Sequence, residues 1–224
     1  MPNQKQETTA TTPYRLSLHE RILSTAMTQF TRQGVRSVKM DDLAGALGIS
    51  KRTLYELYSN KEDLLFEGVK RFYERKRQED KRIKEGSGNV MDTLLRLYQH
   101  AVMQQKQVNP VFYTDLEHYP NIVAYLHEEA KKTHEERKQF IQRGVEEGYF
   151  RSDVNIELVL QVFEIIAGHL VHDRLITRYS LSEIYNSVIF LSLRGLCTEQ
   201  GLKRLDQFLE NNKKSSEFIV HSEE

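Results

Sequence analysis

The segment from Val38 to Leu65, VKMDDLAGALGISKRTLYELYSNKEDLL, constrains the fold of this chain more than any other part of it. Its first half carries four apolar residues at the spacing of a short helix: Met40, Leu43, Ala44 and Leu47. Gly48 would end this helix. Ser50 is placed to cap a second helix, in which Leu54 and Tyr58 share the inward face. The segment therefore predicts two short helices joined by a tight turn.

The second of these helices begins with a cluster of hydrogen-bond donors: Lys51, Arg52, Thr53 and Tyr55. In a helix-turn-helix element, the N-terminal residues of the second helix lie near base edges and phosphates in the major groove. We interpret the segment as such a DNA-binding element. The alternative is an ordinary helical hairpin with a solvated basic face, because glycine-containing turns between helices are common.

The run SKRTLYELYSNKEDLL resembles the DNA-binding signature of the TetR family of bacterial transcriptional repressors, and the preceding LHERILSTAMTQFTRQGVRSVKMDDLAGALGI resembles the rest of that domain. The similarity covers roughly residues 18–70. It implies an all-α fold, with an N-terminal three-helix helix-turn-helix domain and a C-terminal helical ligand-binding and dimerisation domain. The residues that it places at DNA are Ser50, Lys51, Arg52, Thr53 and Tyr55, with Lys61 at the DNA backbone.

Three positions depart from the family pattern. Lys39 stands where the family often has a capping Thr or Ser, so the cap is lost and a cation, itself a candidate phosphate ligand, replaces it. Glu56 and Leu57 stand where some relatives have DNA-contacting aromatic residues or His. Glu56 would repel phosphate unless it accepts a hydrogen bond from a cytosine amino group.

The charge of the chain is divided along its length. The formal net charge is zero, but residues 1–85 carry 17 Lys and Arg against 12 Asp and Glu, and the remainder is acidic by the same margin. The basic half contains the predicted DNA-binding element, as phosphate contact requires. No apolar run is long enough for a membrane span, and the polar N-terminus is unlike a signal peptide, so we expect a cytoplasmic protein.

The break at GSGN, residues 86–89, divides the chain into two helical parts. We predict a disordered arm over residues 1–13, a DNA-binding domain with its connecting helix over 14–85, a regulatory and dimerisation domain over 86–210, and a mobile tail over 211–224. The predicted helices cover about 18–33, 60–84, 90–107, 111–119 and 121–147, with a last helix ending near Leu209.

Two C-terminal helices, predicted at residues 156–176 and 181–196, are apolar around much of their circumference. A monomer would need only one buried face on each, so the surplus indicates a partner surface. The family resemblance implies that these helices pair two subunits into a homodimer. Two recognition helices held in this way would read a palindromic operator in double-stranded DNA.

The resemblance also implies a repressor that a small-molecule effector releases from DNA. Candidate effector contacts combine apolar bodies with polar tips in the helices at 90–119: His100, Met103, Phe112, Tyr113, His118 and Tyr119. For each of these residues, ordinary packing is favoured over effector contact, more strongly for the histidines than for the aromatic residues.

Other classes of function have weaker support in the sequence. A metal site could be built from His169 and His172 with Glu164 and Asp173, but no second helix supplies a matching Glu-x-x-His pair. No nucleophile motif of a hydrolase is present, so we expect neither an enzyme nor a cofactor. Cys197 is the single cysteine, and packing is favoured over redox sensing for it. A helical module that binds protein rather than DNA is the remaining alternative.

Overall fold

The structure is a computed structural model that describes the backbone of residues 13–220 and the side chains of residues 16–211. Within these residues the fold is helical, with a single isolated β-bridge between Phe150 and Cys197. The helices are α1 (Pro13–Gln33), α2 (Met40–Leu47), α3 (Lys51–Leu57), α4 (Lys61–Glu85), α5 (Val90–Gln105), α6 (Val111–Leu116), α7 (Pro120–Lys132), α8 (His134–Glu146), α9 (Ile156–His172), α10 (Leu175–Arg178), α11 (Leu181–Ile184), α12 (Phe190–Leu196) and α13 (Glu199–Val220). A π-helical turn, Tyr185–Ile189, joins α11 to α12.

Helices α1 to α4 form the N-terminal head, as predicted from the capping residues and the apolar spacing. Gly48 ends α2 in the left-handed region, with φ of 65°, and Ser50 begins α3 as its cap. Asn60 caps α4 by accepting a hydrogen bond from the backbone N–H of Asp63. The four helices enclose a core of fully buried side chains that includes Ile22, Phe30, Leu43, Leu54 and Leu64.

Gly34 is required where α1 meets α6. Its φ is 83°, and a Cβ atom at this position would lie 2.9 Å from Val111 Cγ1 and 3.0 Å from Asp115 Oδ2. Any other residue would be strained by the backbone conformation and would also clash with α6. The predicted helix end at Gly34 is therefore confirmed, and it has a tertiary cause as well as a local one.

The core of the head continues into α6 and α7. Phe112, Leu116 and Ile122 are buried in the same hydrophobic cluster as the side chains of α1 to α4. The ring of Phe112 packs edge to face with that of Phe72 on α4, with 6.0 Å between the ring centroids. The head is consequently fused to the first helices of the second domain.

The remaining helices of the second domain pack around their own core. Val90, Met91, Leu95, Phe190 and Leu205 are among its buried residues, contributed by α5, α12 and α13. Gly144 of α8 allows Phe150 to close this core, because a Cβ atom on Gly144 would lie 2.2 Å from Phe150 Cδ2. This close contact fixes the chain segment between α8 and α9.

Two of the predicted long helices are interrupted in the structure. The helix predicted at 121–147 is divided at Thr133, whose hydroxyl donates to the carbonyl oxygens of Glu129 and Ala130 and accepts from Arg137. Side chain to backbone bonding of this kind competes with a continuous helix. The helix predicted at 156–176 ends at His172, because Arg174 adopts a left-handed conformation with φ of 55°.

The last helix is longer than predicted. It extends to Val220 instead of ending near Leu209, since no glycine or proline interrupts the chain after Gly201. Residues 1–12 of the predicted arm and residues 221–224 of the predicted tail lie outside the described residues. Among the helices of the described part, none has the length and apolarity needed to cross a membrane.

Replacement of Gly144 by Ala should lower the free energy of unfolding by about 1–3 kcal/mol, because Phe150 must move out of its position in the core. Chemical denaturation followed by circular dichroism measures this difference. Gly45→Ala is the matched control, since a Cβ atom on the helical Gly45 would meet no atom within 4 Å and the variant should gain about 0.5–1 kcal/mol. Equal effects at the two positions would contradict this account of the second core.

Candidate nucleic-acid interface

The N-terminal turn of α3 is exposed and its cap is formed. Ser50 Oγ accepts a hydrogen bond from the backbone N–H of Thr53 at 3.0 Å and lies 2.8 Å from the Thr53 hydroxyl. Lys51, Arg52 and Tyr55 project into solvent, and Tyr55 is 46% exposed although it is aromatic. The structure therefore brings the predicted contacts of α3 together on one accessible surface, which we call the α3 surface: Ser50, Lys51, Arg52, Thr53 and Tyr55.

The opposite face of α3 is held by packing and by a polar network. Leu54 and Tyr58 are buried, as predicted. The Tyr58 hydroxyl donates to Glu67 Oε2 at 2.9 Å and lies 2.9 Å from His19 Nε2, and burial raises its pKa. No local sequence pattern marks His19 or Glu67 as a partner of Tyr58. His19 lies 39 residues from Tyr58 and Glu67 lies 9 residues from it.

Two cations of the α3 surface have carboxylate partners within the chain. Lys51 Nζ donates to Asp41 of α2, and Arg52 Nε donates to Glu56 Oε1 at 2.8 Å. These hydrogen bonds raise the pKa of both basic groups. Both pairs are well exposed, so they contribute little to stability and can be exchanged for phosphate contacts.

The structure separates the three positions that depart from the family pattern. Lys39 is exposed and provides no side-chain cap, as predicted, since lysine has no acceptor. Its backbone N–H instead donates to Asp42 Oδ2 at 3.4 Å. Glu56 is exposed beside Arg52, whereas Leu57 packs against the core of the head. Leu57 is therefore a packing residue. Of these three positions, Lys39 and Glu56 are the ones exposed to a DNA ligand.

Lys61 is placed differently from the other predicted DNA contacts. Its ammonium group is partly buried and donates to the carbonyl oxygens of Val35 and Val38, each at 3.0 Å. Burial lowers its pKa, and the nearby Asp115 carboxylate acts in the opposite direction. At least two of its three donors are thus directed into the protein instead of toward DNA.

The fold and this surface define a class of protein. A compact helical head that presents an exposed, cation-rich N-terminal turn of a second helix, joined to a larger helical domain, is the architecture of a helix-turn-helix transcription regulator. Residues 22–67 match the family model described as bacterial regulatory proteins, tetR family. Over its N-terminal head the chain is therefore similar to the TetR family of bacterial DNA-binding transcriptional regulators.

Individual relatives agree with this assignment. The chain is 25% identical to the HTH-type transcriptional repressor KstR2 of Mycobacterium tuberculosis over 144 residues, which cover 62% of this chain and 72% of that repressor. The solved structure of that regulator aligns with a TM-score of 0.55 at 21% identity, covering 81% of this chain and 96% of that one. A regulator from Saccharomonospora viridis in complex with choline aligns with a TM-score of 0.68 at 18% identity, covering 82% and 100%. These structural similarities establish the fold alone.

The six predicted effector contacts differ in their surroundings. Phe112, Tyr113 and Tyr119 pack with the core of the head, and Phe112 is fully buried there. His118 is exposed, and Met103 is 64% exposed. His100 lies 3.3 Å from Glu79 of α4. Two surface clefts, one between α1 and α4 and one on α12 and α13, are lined by other residues.

The possible metal ligands have separate partners in the structure. His169 pairs with Asp173 at 3.1 Å, His172 with Glu117 at 3.5 Å, and Glu164 with His134 and Arg137. Over the residues that the structure describes, no group of three His, Cys, Asp or Glu side chains could hold a metal ion.

Removal of the carboxylate at Glu56 should strengthen binding to DNA of any sequence by roughly threefold at low salt, because Arg52 no longer has an anionic partner and a negative charge that repels phosphate is removed. Fluorescence anisotropy with Glu56→Gln and a random-sequence duplex measures this change. Glu146→Gln is the matched control, since it changes the net charge equally on exposed α8. An equal gain in the control would assign the effect to net charge alone.

The Cys197 thiol should react slowly in the native protein. It is buried, and burial raises its pKa to about 11, so only roughly a thousandth of the thiol is ionised at a pH near 8. A disulfide reagent such as Ellman's reagent should label it far more slowly before unfolding in guanidinium than after. Comparable labelling rates in the native and the unfolded protein would instead favour a redox role for Cys197.

Proposed function

We propose that this protein is a dimeric repressor that binds a palindromic operator in double-stranded DNA and leaves it when a small molecule binds the C-terminal domain. The observation that supports DNA binding most directly is the α3 surface, where exposed donors surround a solvent-facing Tyr55 while Leu54 and Tyr58 anchor the opposite face. The repressor role is carried over from the name of the mycobacterial relative. We place this activity in the cytoplasm, where chromosomal DNA is accessible.

The DNA contacts of the proposal are Lys39 and the α3 surface. Serine and threonine hydroxyls, a lysine and a tyrosine suit phosphate oxygens and groove edges, and Arg52 suits a guanine edge. The Lys51 and Arg52 side chains must leave Asp41 and Glu56 to reach DNA. Lys61 is left out of this set, because its ammonium group donates to backbone carbonyl oxygens of the head.

The proposed dimer uses the helices between residues 156 and 196. Leu158, Val162 and Ile165 of α9 follow one helical face and are 56%, 46% and 60% exposed. Leu191 of α12 is 66% exposed. A second copy of the chain would cover this apolar surface and hold two α3 helices at the spacing of two operator half-sites.

The proposed effector is a small molecule of open chemical class. Related structures are a ketosteroid transcriptional regulator, a regulator in complex with choline and a gamma-butyrolactone receptor, so the architecture accommodates diverse ligands. Of the six predicted contacts, the buried Phe112 serves packing. The others are retained as candidates: His100, Met103, Tyr113, His118 and Tyr119.

Gel-shift titration at several salt concentrations tests DNA binding. A dimer that neutralises several phosphates should lose affinity with a log-log slope of about 0.9 per phosphate. Selection of bound fragments from the native genome then identifies the operator, and candidate metabolites of the regulated genes are tested for its release. Salt-independent or absent binding would favour the alternative, a helical module that binds protein.

Ile165→Lys should convert the dimer into a monomer, because a charge would be placed in the middle of the apolar face of α9. Light scattering at micromolar concentration measures the mass, and anisotropy measures the accompanying loss of operator affinity. Met103→Lys is the control, since Met103 is similarly exposed but lies on α5. A dimer that survives Ile165→Lys would place the subunit interface elsewhere.

A further inference from the structure

A buried carboxylate lies between the head and α6. Asp115 is only 5% exposed, and its Oδ2 accepts a hydrogen bond from the backbone N–H of Arg36 at 2.9 Å. Arg36 lies in the loop from Gly34 to Lys39, between α1 and α2, which is 79 residues away in sequence from Asp115. A buried carboxylate is costly unless it is paired or hydrogen-bonded, so a position of this kind indicates a specific task.

The same loop is also held by Lys61. The Lys61 ammonium, at the start of α4, donates to the carbonyl oxygens of Val35 and Val38, which flank Arg36. Asp115 also acts electrostatically on Lys61, so the two charges face the loop together. Three polar groups of the loop backbone are thereby fixed by one cation and one anion from two different helices.

Contacts of the segment just before α6 extend this arrangement to α1. The backbone N–H of Asn109 donates to the carbonyl oxygen of Thr31 at 2.7 Å, and its side-chain Nδ2 donates to that of Arg32 at 3.3 Å. These are carbonyl groups at the end of α1, which would otherwise lack helical partners. These hydrogen bonds therefore couple the end of α1, and the loop that leads into α2, to the position of α6.

We propose that Asp115 and Lys61 are positioning residues that set the orientation of α2 and α3 relative to the C-terminal domain, and that Lys61 acts on the loop instead of on DNA phosphate. The loop leads directly into Met40, and α2 packs against α3, so a displaced loop misplaces the α3 surface. This inference rests on the proposed function, because it concerns operator affinity. In this proposal, the polar contacts between the two domains fix the orientation of the head. Apolar packing alone could not do so, because hydrogen bonds are directional and apolar contacts are not.

The first test compares Asp115→Ala with Glu117→Ala, which removes an exposed acid two residues further along the chain. The probe is a duplex of about 40 base pairs, long enough for two half-sites, recovered by the wild-type protein from a randomised library. Asp115→Ala should weaken binding about tenfold, the loss of one charge-assisted hydrogen bond, at a temperature where it remains folded. Glu117→Ala should bind as the wild type does.

Hydrogen exchange distinguishes positioning from general destabilisation. Asp115→Ala should lose protection at the Arg36 amide while the amides in the middle of α1 and α4 remain protected. Asp115→Asn keeps an acceptor for the Arg36 N–H and should restore most of the affinity. Wild-type affinity in Asp115→Ala despite a lost Arg36 protection factor would overturn the proposal.

The second test separates the two roles of Lys61 by salt dependence. Lys51→Met removes a proposed phosphate ligand and should reduce the log-log salt slope by about 0.9 for each subunit. Lys61→Met should weaken operator binding with the slope unchanged, because no phosphate contact is lost. An equal slope change in the two variants would show that Lys61 binds phosphate and would overturn its assignment. If the wild-type protein selects no duplex, the proposed function itself fails, independently of the roles of Asp115 and Lys61.

Discussion

The insertion of Phe112 into the head is the contact on which the two-domain arrangement depends. Its ring is fully buried between Phe72 of α4 and Tyr113, with centroid distances of 6.0 and 5.5 Å. Burial of a side chain of this size contributes about 1.5–3 kcal/mol. The head therefore shares its core with α6, and the polar contacts of Asn109 and Asp115 then specify the direction of this docking. Apolar packing holds α6 against the head, whereas the hydrogen bonds fix the orientation of α6 relative to the head.

The distribution of charge explains how a chain with zero net charge can bind DNA, a polyanion. The basic excess lies in residues 1–85, yet Lys51 and Arg52 have internal carboxylate partners. Exposed ion pairs of this kind contribute only about 0–1 kcal/mol each, so exchange for phosphate costs little. Their presence nevertheless reduces the positive potential of the α3 surface toward any single phosphate. DNA that matches the geometry of the whole surface is favoured over DNA that offers charge alone.

The parts of the fold that could be predicted from the sequence are those encoded within a few residues. The ends of α1 and α2 at Gly34 and Gly48, the Ser50 cap and the inward Leu54 depend on local spacing, and all are found in the structure. The interruption at Thr133 could not be predicted, because a threonine inside a charged run carries no strong breaker signal. The length of α13 differs from the prediction because a polar composition is shared by mobile tails and exposed helices. The candidate site was likewise predictable on its exposed side and not on its inner side. The α3 surface follows from one contiguous motif, whereas the Asp115 to Arg36 bond joins residues that are 79 positions apart. The effector positions remain a prediction, and only their packing could be compared: residues that mix apolar bodies with polar tips occur both in pockets and at a domain boundary, where Phe112, Tyr113 and Tyr119 lie.

The contrast between α6 and α9 explains how a signal in the second domain could reach DNA. Helix α6 buries Phe112, Thr114, Asp115 and Leu116 within only six residues, whereas α9 buries only Leu160 among seventeen. In the proposed dimer, the exposed face of α9 is covered by the partner and determines where each second domain stands. Because α6 shares the buried core of the head while α9 buries a single side chain within its own subunit, we propose that an effector shifts the helices between them and changes the head spacing without deforming the α3 surface. In the proposed function, the response is a change in the distance between two otherwise unchanged heads, and binding to a palindrome of fixed half-site spacing depends on that distance.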